Sequence, residues 1–138
     1  MPPQQTVQDF MGRYCATFTP GNAAAMADFF HHPVAMIFGG NFLLLNTPQE
    51  LTTTFEAMLA GLATRGFSHS TPDRLAVTQL ADQTFWVTGA FTRYHRDGSV
   101  LETVGATYTL LAGDAGFRIA MVVAHDAGAL ERYRAALG

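Results

Sequence analysis

Apolar side chains at Val7, Phe10, Met11, Tyr14, Cys15 and Phe18 recur with the three-and-four spacing of one helix face. Thr19-Pro20-Gly21 interrupts that stripe. Asn22 is a suitable N-cap for a short second helix over residues 23–30, in which Met26, Phe29 and Phe30 are apolar. Pro33 separates it from a short strand over 34–38, a Gly39-Gly40-Asn41 turn and a hairpin partner over 42–45. Thr47-Pro48-Gln49-Glu50 has the form of a capping box with proline at the first helical position. Leu51, Phe55, Met58, Leu59 and Leu62 continue as a helical stripe that ends near Gly66.

Period-two segments follow over 67–80, 84–96, 100–112 and 117–125, the first interrupted at Pro72. Asp97-Gly98 is a hairpin signal, because both residues tolerate positive φ. The run from Gly113 to Gly116 makes a second tight connection, and Asp126 can cap a last helix over 127–137. No repeat or low-complexity tract divides the chain, so residues 1–138 are expected to form one domain. The order predicts an α+β class: a mainly antiparallel meander of long strands plus a short hairpin, packed on three N-terminal helices. Long, twisted, bulged strands curl, and a curled sheet closed by helices leaves a cone-shaped cavity between them.

Composition sharpens this picture. Apolar residues make up 49% of the chain and charged residues 14%, against about 25% charged in an average globular domain. That balance excludes disorder. The net charge is −3 and every basic residue is an arginine, none in a run. No nucleic-acid partner is therefore expected. The N-terminus has no basic segment followed by an apolar one, and no apolar run approaches the ~20 residues of a membrane helix. A cytoplasmic protein without a membrane partner is the expectation. Cys15 is the single cysteine, which excludes an internal disulfide and a cysteine-based zinc cage. The histidines show no HxH or HxxxH spacing, there is no phosphate-cradling glycine motif and no GxSxG elbow. Neither a metal nor a cofactor is implied.

Arg13-Tyr14, Pro20-Gly21-Asn22, the 26–30 segment, the Thr47 box, Trp86, Asp97-Gly98, Ala106-Thr107-Tyr108 and Gly116-Phe117-Arg118-Ile119 occur in an order that resembles the nuclear transport factor two-like superfamily. Its relatives include SnoaL-like polyketide cyclases and ketosteroid isomerases. The resemblance implies that Phe117, Ile119, Met121, Val123 and His125 face the cavity, with Ala106, Tyr108 and Leu110 beside them. On the strand before, it implies an inward set of Trp86, Thr88, Ala90, Thr92 and Tyr94. The opposite set, Phe85, Val87, Gly89 and Phe91, is also apolar, so both faces need cover. That predicts a homodimer packed sheet against sheet.

The resemblance places Tyr14 where ketosteroid isomerases carry an oxyanion-hole tyrosine, and Tyr108 where they carry the second donor. Their general-base aspartate would fall near Phe38, where Ala35-Met36-Ile37-Phe38 holds no acid. Ketosteroid isomerisation is thus not expected. His125 is the remaining candidate acid or base, since imidazole exchanges protons near neutrality. His69 is a candidate at the cavity mouth. Phe38, Phe55, Trp86, Ala106, Met121 and Val123 complete the candidate lining. His31 and His32 are expected at a helix end, and Arg93 on a surface hairpin.

Two readings remain open. One is an isomerase, cyclase or dehydratase of an apolar carbonyl compound, with His125 as acid or base and Tyr14 and Tyr108 polarising the substrate. The other is a non-catalytic module that holds an apolar small molecule, or dimerises, with the same cavity.

Overall fold

In a computed structural model that describes residues 3–129, 131 and 132, the first apolar stripe becomes α1 (Pro3–Thr17). Its Val7, Phe10, Met11, Tyr14 and Cys15 are all buried. After the break come α2 (Ala23–Ala27), β1 (Phe30–Phe38) and β2 (Asn41–Leu45). Then follow α3 (Pro48–Thr64), β3 (His69–Ala81), β4 (Thr84–Tyr94), β5 (Val100–Gly113) and β6 (Gly116–His125). The class is α+β. Six strands form one curved sheet in the order β2-β1-β6-β5-β4-β3, antiparallel throughout except that β1 runs parallel to β6. The expected last helix lies largely outside the described residues.

The third helix starts as its sequence specifies. Thr47 Oγ1 accepts from the Glu50 amide at 3.1 Å, and the Glu50 carboxylate reaches back to the Asn46 amide at 2.7 Å. It ends in a Schellman motif: Gly66 adopts φ +85°, and the Phe67 amide returns to the Leu62 carbonyl at 3.1 Å.

The second helix is shorter than its pattern suggests. The Ile119 amide bonds the Phe29 carbonyl at 2.8 Å, and Phe30 already pairs with Ile119. The chain joins the sheet there, four residues before the expected strand start. His31 and His32 therefore lie in β1 rather than at a helix end, and the register irregularity between Phe30 and Ala35 absorbs them with the cis-bonded Pro33.

Two strands face differently from expectation. On β4 the set under the helices is Phe85, Val87 and Phe91, at 4%, 0% and 5% exposure. Trp86 is 39% exposed on the other face. The more apolar set of a half-buried strand goes to the core, because each buried aromatic outweighs a threonine in transfer energy. On β6, Leu110 pairs with Ile119 but Thr109 with Met121, so Ala120 is an extra residue. That bulge keeps Ile119 inward and then turns Val122 and Ala124 inward, leaving Met121 and Val123 on the outer face. The outer face thus lacks Phe85, Val87 and Phe91, and its apolar character comes from Trp86, Met121 and Val123.

Candidate functional site

Between α1, α3, β1 and the sheet lies a cavity of about 320 Å³, near the lower end of the ~300–1,000 Å³ range of small-molecule sites. Its lining is mostly apolar. The helices contribute Tyr14, Cys15, Phe55, Met58 and Leu62, with Phe18 just beyond α1. The strands contribute Phe30, Met36 and Phe38 from β1 and Phe91, Ala106, Tyr108 and Val122 from the meander. Among the described residues no carboxylate lines it.

Tyr14 and Tyr108 meet inside this space. Their ring centroids are 6.0 Å apart at 75°, and only 4% and 7% of the two residues is exposed. Edge-to-face contacts hold both rings: Phe18, Phe29 and Phe30 surround Tyr14, and Phe91 meets Tyr108. Neither phenol hydroxyl has a hydrogen-bond partner among the described residues. Burial pushes both hydroxyls well above the ordinary tyrosine range; for Tyr14 the neighbouring Tyr108 adds to it, while Arg93 pulls both back. Both are therefore neutral donors at physiological pH. Neither hydroxyl is sealed off in the way His32 Nε2 and Thr109 Oγ1 are; both residues line the cavity, so each phenol is left as a donor facing open space inside it.

At the mouth stands Arg93, whose Nη1 donates to Glu102 at 2.7 Å. Arg65, from the α3 C-cap, grips the same carboxylate with both Nη atoms at 3.1 and 2.8 Å. The Arg65 hydrogen bond above all, with a smaller one from Arg93, holds the Glu102 carboxyl below its ordinary value against the opposing effect of burial. Arg93 is inward by the same alternation that buries Phe85, Val87 and Phe91, not a free surface cation. Choosing that set as the core face would have found it in the sequence.

His125 borders the cavity at the end of β6, but both ring nitrogens are engaged. Nδ1 lies 2.8 Å from the Asp126 carbonyl, which can only accept, so Nδ1 carries the proton. In the neutral ring Nε2 then accepts from Thr107 Oγ1 at 2.9 Å, and Thr107 accepts from Thr88 at 3.1 Å. His69 does not reach the cavity: it stacks on Tyr94 at 5.1 Å in a separate cleft with Thr19, Phe67 and Arg96. Trp86, Met121 and Val123 lie on the opposite face, for the reasons of register given above. Phe38, Phe55 and Ala106 are brought together with the tyrosines. Cys15 and Ser70 also line the cavity; burial first pushes the Cys15 thiol up to about 12, against a hydrogen bond with Ser70. Such a thiol is inert as a nucleophile. Among the described residues no three His, Cys, Asp or Glu side chains come together as a metal site. Among the described residues no helix is long and apolar enough to cross a membrane.

A family model described as NTF2-like protein (DUF6841) matches residues 4–127. No curated protein matches the chain significantly. Among solved structures, Aln2 from a Streptomyces species is 19% identical with a TM-score of 0.72, over 96% of this chain and 98% of that one. An NTF-2 like protein of unknown function from Shewanella oneidensis is 13% identical with a TM-score of 0.72, over 91% and 100%. An NTF2-like protein with a cystatin-like fold from Novosphingobium aromaticivorans is 14% identical with a TM-score of 0.72, over 98% and 88%. At such identities the likeness is one of fold.

Proposed function

The chain belongs to the NTF2-like protein (DUF6841) family, and we propose that it binds an apolar small molecule bearing an oxygen acceptor. The observation that carries this reading is the pair of phenols of Tyr14 and Tyr108, without a hydrogen-bond partner among the described residues, that meet in a mostly apolar cavity. A carbonyl oxygen between them would accept from both while the remainder of the molecule buries apolar area.

Binding is favoured over turnover by a second observation. Polarising a carbonyl accelerates isomerisation or dehydration only with a base in reach. The cavity holds no carboxylate among the described residues, and the one imidazole on its border spends its lone pair on Thr107.

Two naphthalene probes test this: acetylnaphthalene and ethylnaphthalene, which differ in the carbonyl. The ketone is expected to bind more tightly, and Tyr14→Phe or Tyr108→Phe to weaken it about three- to tenfold without changing the hydrocarbon. Equal affinities for the two probes, or indifference of the ketone to both substitutions, would overturn the reading. As part of the same reading, Trp86, Met121 and Val123 on the outer sheet face support pairing with a second copy. Sedimentation at micromolar concentration is expected to return a dimer, and a monomer there removes the pairing.

A further inference from the structure

We propose that the molecule held in this cavity is an apolar carboxylic acid, its carboxylate meeting Arg93 at the mouth and its second oxygen reaching Tyr14 and Tyr108. This deepens the binding reading above and rests on it. Arg93 at the mouth and Arg65 outside it share one carboxylate, Glu102. The sharing is unequal: Arg65 holds both Glu102 oxygens, whereas Arg93 gives it a single Nη1 contact. The Nη2 and Nε donors of Arg93 have no partner among the described residues.

Arg93 is also the cation placed to serve the cavity. Its side chain is 20% exposed and belongs to the lining, whereas the Arg65 side chain is 50% exposed outside it. Phe18 links the two ends of the site, with its ring 5.8 Å from the Arg93 guanidinium carbon and 6.1 Å from the Tyr14 ring. A flat apolar body lying along Phe18 would thus have a charged donor at one end and two neutral donors at the other. The other acid near the lining, Asp73, is turned to the Thr71 and Thr92 hydroxyls and does not compete. A guanidinium with free donors in a half-dry mouth recognises a planar carboxylate by charge-assisted hydrogen bonds, about twice as strong as neutral ones. One guanidinium with two nitrogens to spare suits a monoanion rather than a phosphate-rich ligand.

The experiment compares acetylnaphthoic acid with its methyl ester, alongside neutral acetylnaphthalene, on the full chain. The acid is expected to bind at least about tenfold more tightly than the ester. That preference should shrink as salt is added, which needs no variant. Arg93→Gln should abolish the preference, Arg93→Lys should retain part of it, and Glu102→Gln should increase it. Equal binding of acid and ester, or a preference that survives Arg93→Gln, overturns this inference while neutral-ketone binding still stands. If neither acid nor neutral ketone binds, the cavity reading falls and this inference with it.

Discussion

Thr107 Oγ1 lies 2.9 Å from His125 Nε2, and its proton occupies the lone pair that a general base would need. With Nδ1 given to the Asp126 carbonyl, the imidazole ties the end of β6 to β5 and to the chain that follows. His125→Ala is therefore expected to lower the unfolding free energy by about 1 kcal/mol while acetylnaphthalene affinity stays within about twofold. Chemical denaturation and a probe titration on the same variant check both halves. Loss of probe binding with intact stability would return His125 to the site.

Gly105, opposite His125, makes that tie possible. A Cβ there would stand 2.2 Å from the Asp126 carbonyl oxygen and 2.6 Å from His125 Nδ1. Gly105→Ala must displace backbone, not merely a side-chain tip, and is expected to cost about 1–3 kcal/mol. Gly61, exposed in the last turn of α3, has nothing within 4 Å of such a Cβ. Gly61→Ala is expected to stabilise by up to about 0.8–1 kcal/mol, the propensity difference in a helix interior. Melting temperatures moving in opposite directions for the two variants would bear this out. A neutral Gly105→Ala would mean that the β6 end repacks freely.

Where the sequence carried local, obligatory chemistry, the fold was legible. The Thr47–Glu50 box and the break at Pro72 appear where expected, and the Asp97-Gly98 hairpin does too, though with only Gly98 at positive φ and a longer loop closed from His95 to Ser99. Tyr14 and Tyr108 were also found, since one rides an unbroken helical stripe and the other lies on a strand whose inward set was unambiguous. Facing failed where two alternatives were nearly degenerate. Both sets on β4 are apolar, so alternation alone could not rank Trp86 against Phe85, and Arg93 was lost with that choice. The bulge at Ala120 leaves no mark in composition, yet it moves Met121 and Val123 to the opposite face. His31 and His32 were misplaced because the β1–β6 pairing that captures Phe30 is long-range.

The same burial that holds Tyr14, Tyr108 and Cys15 neutral makes stability pH-dependent on the alkaline side. All three have folded-state values raised above those of the unfolded chain. A raised acid group ionises first in the unfolded state, so above the unfolded value the native state binds more protons and stability falls as pH rises. The unfolded thiol ionises near about 8.5 and the phenols near about 10. Stability is therefore expected to fall above pH ~8.5 by up to about 1.4 kcal/mol per pH unit from Cys15 alone. The Cys15 contribution ends as pH approaches its folded value of about 12. Above pH ~10 the slope should steepen as the two tyrosines join. Cys15→Ala should remove the first decline, and Tyr14→Phe should reduce the steeper one. Denaturant midpoints across this range read each step. A wild-type curve that stays flat through pH ~10.5 would mean that the thiol and phenols ionise in the native state, and so that the cavity is open to bulk water.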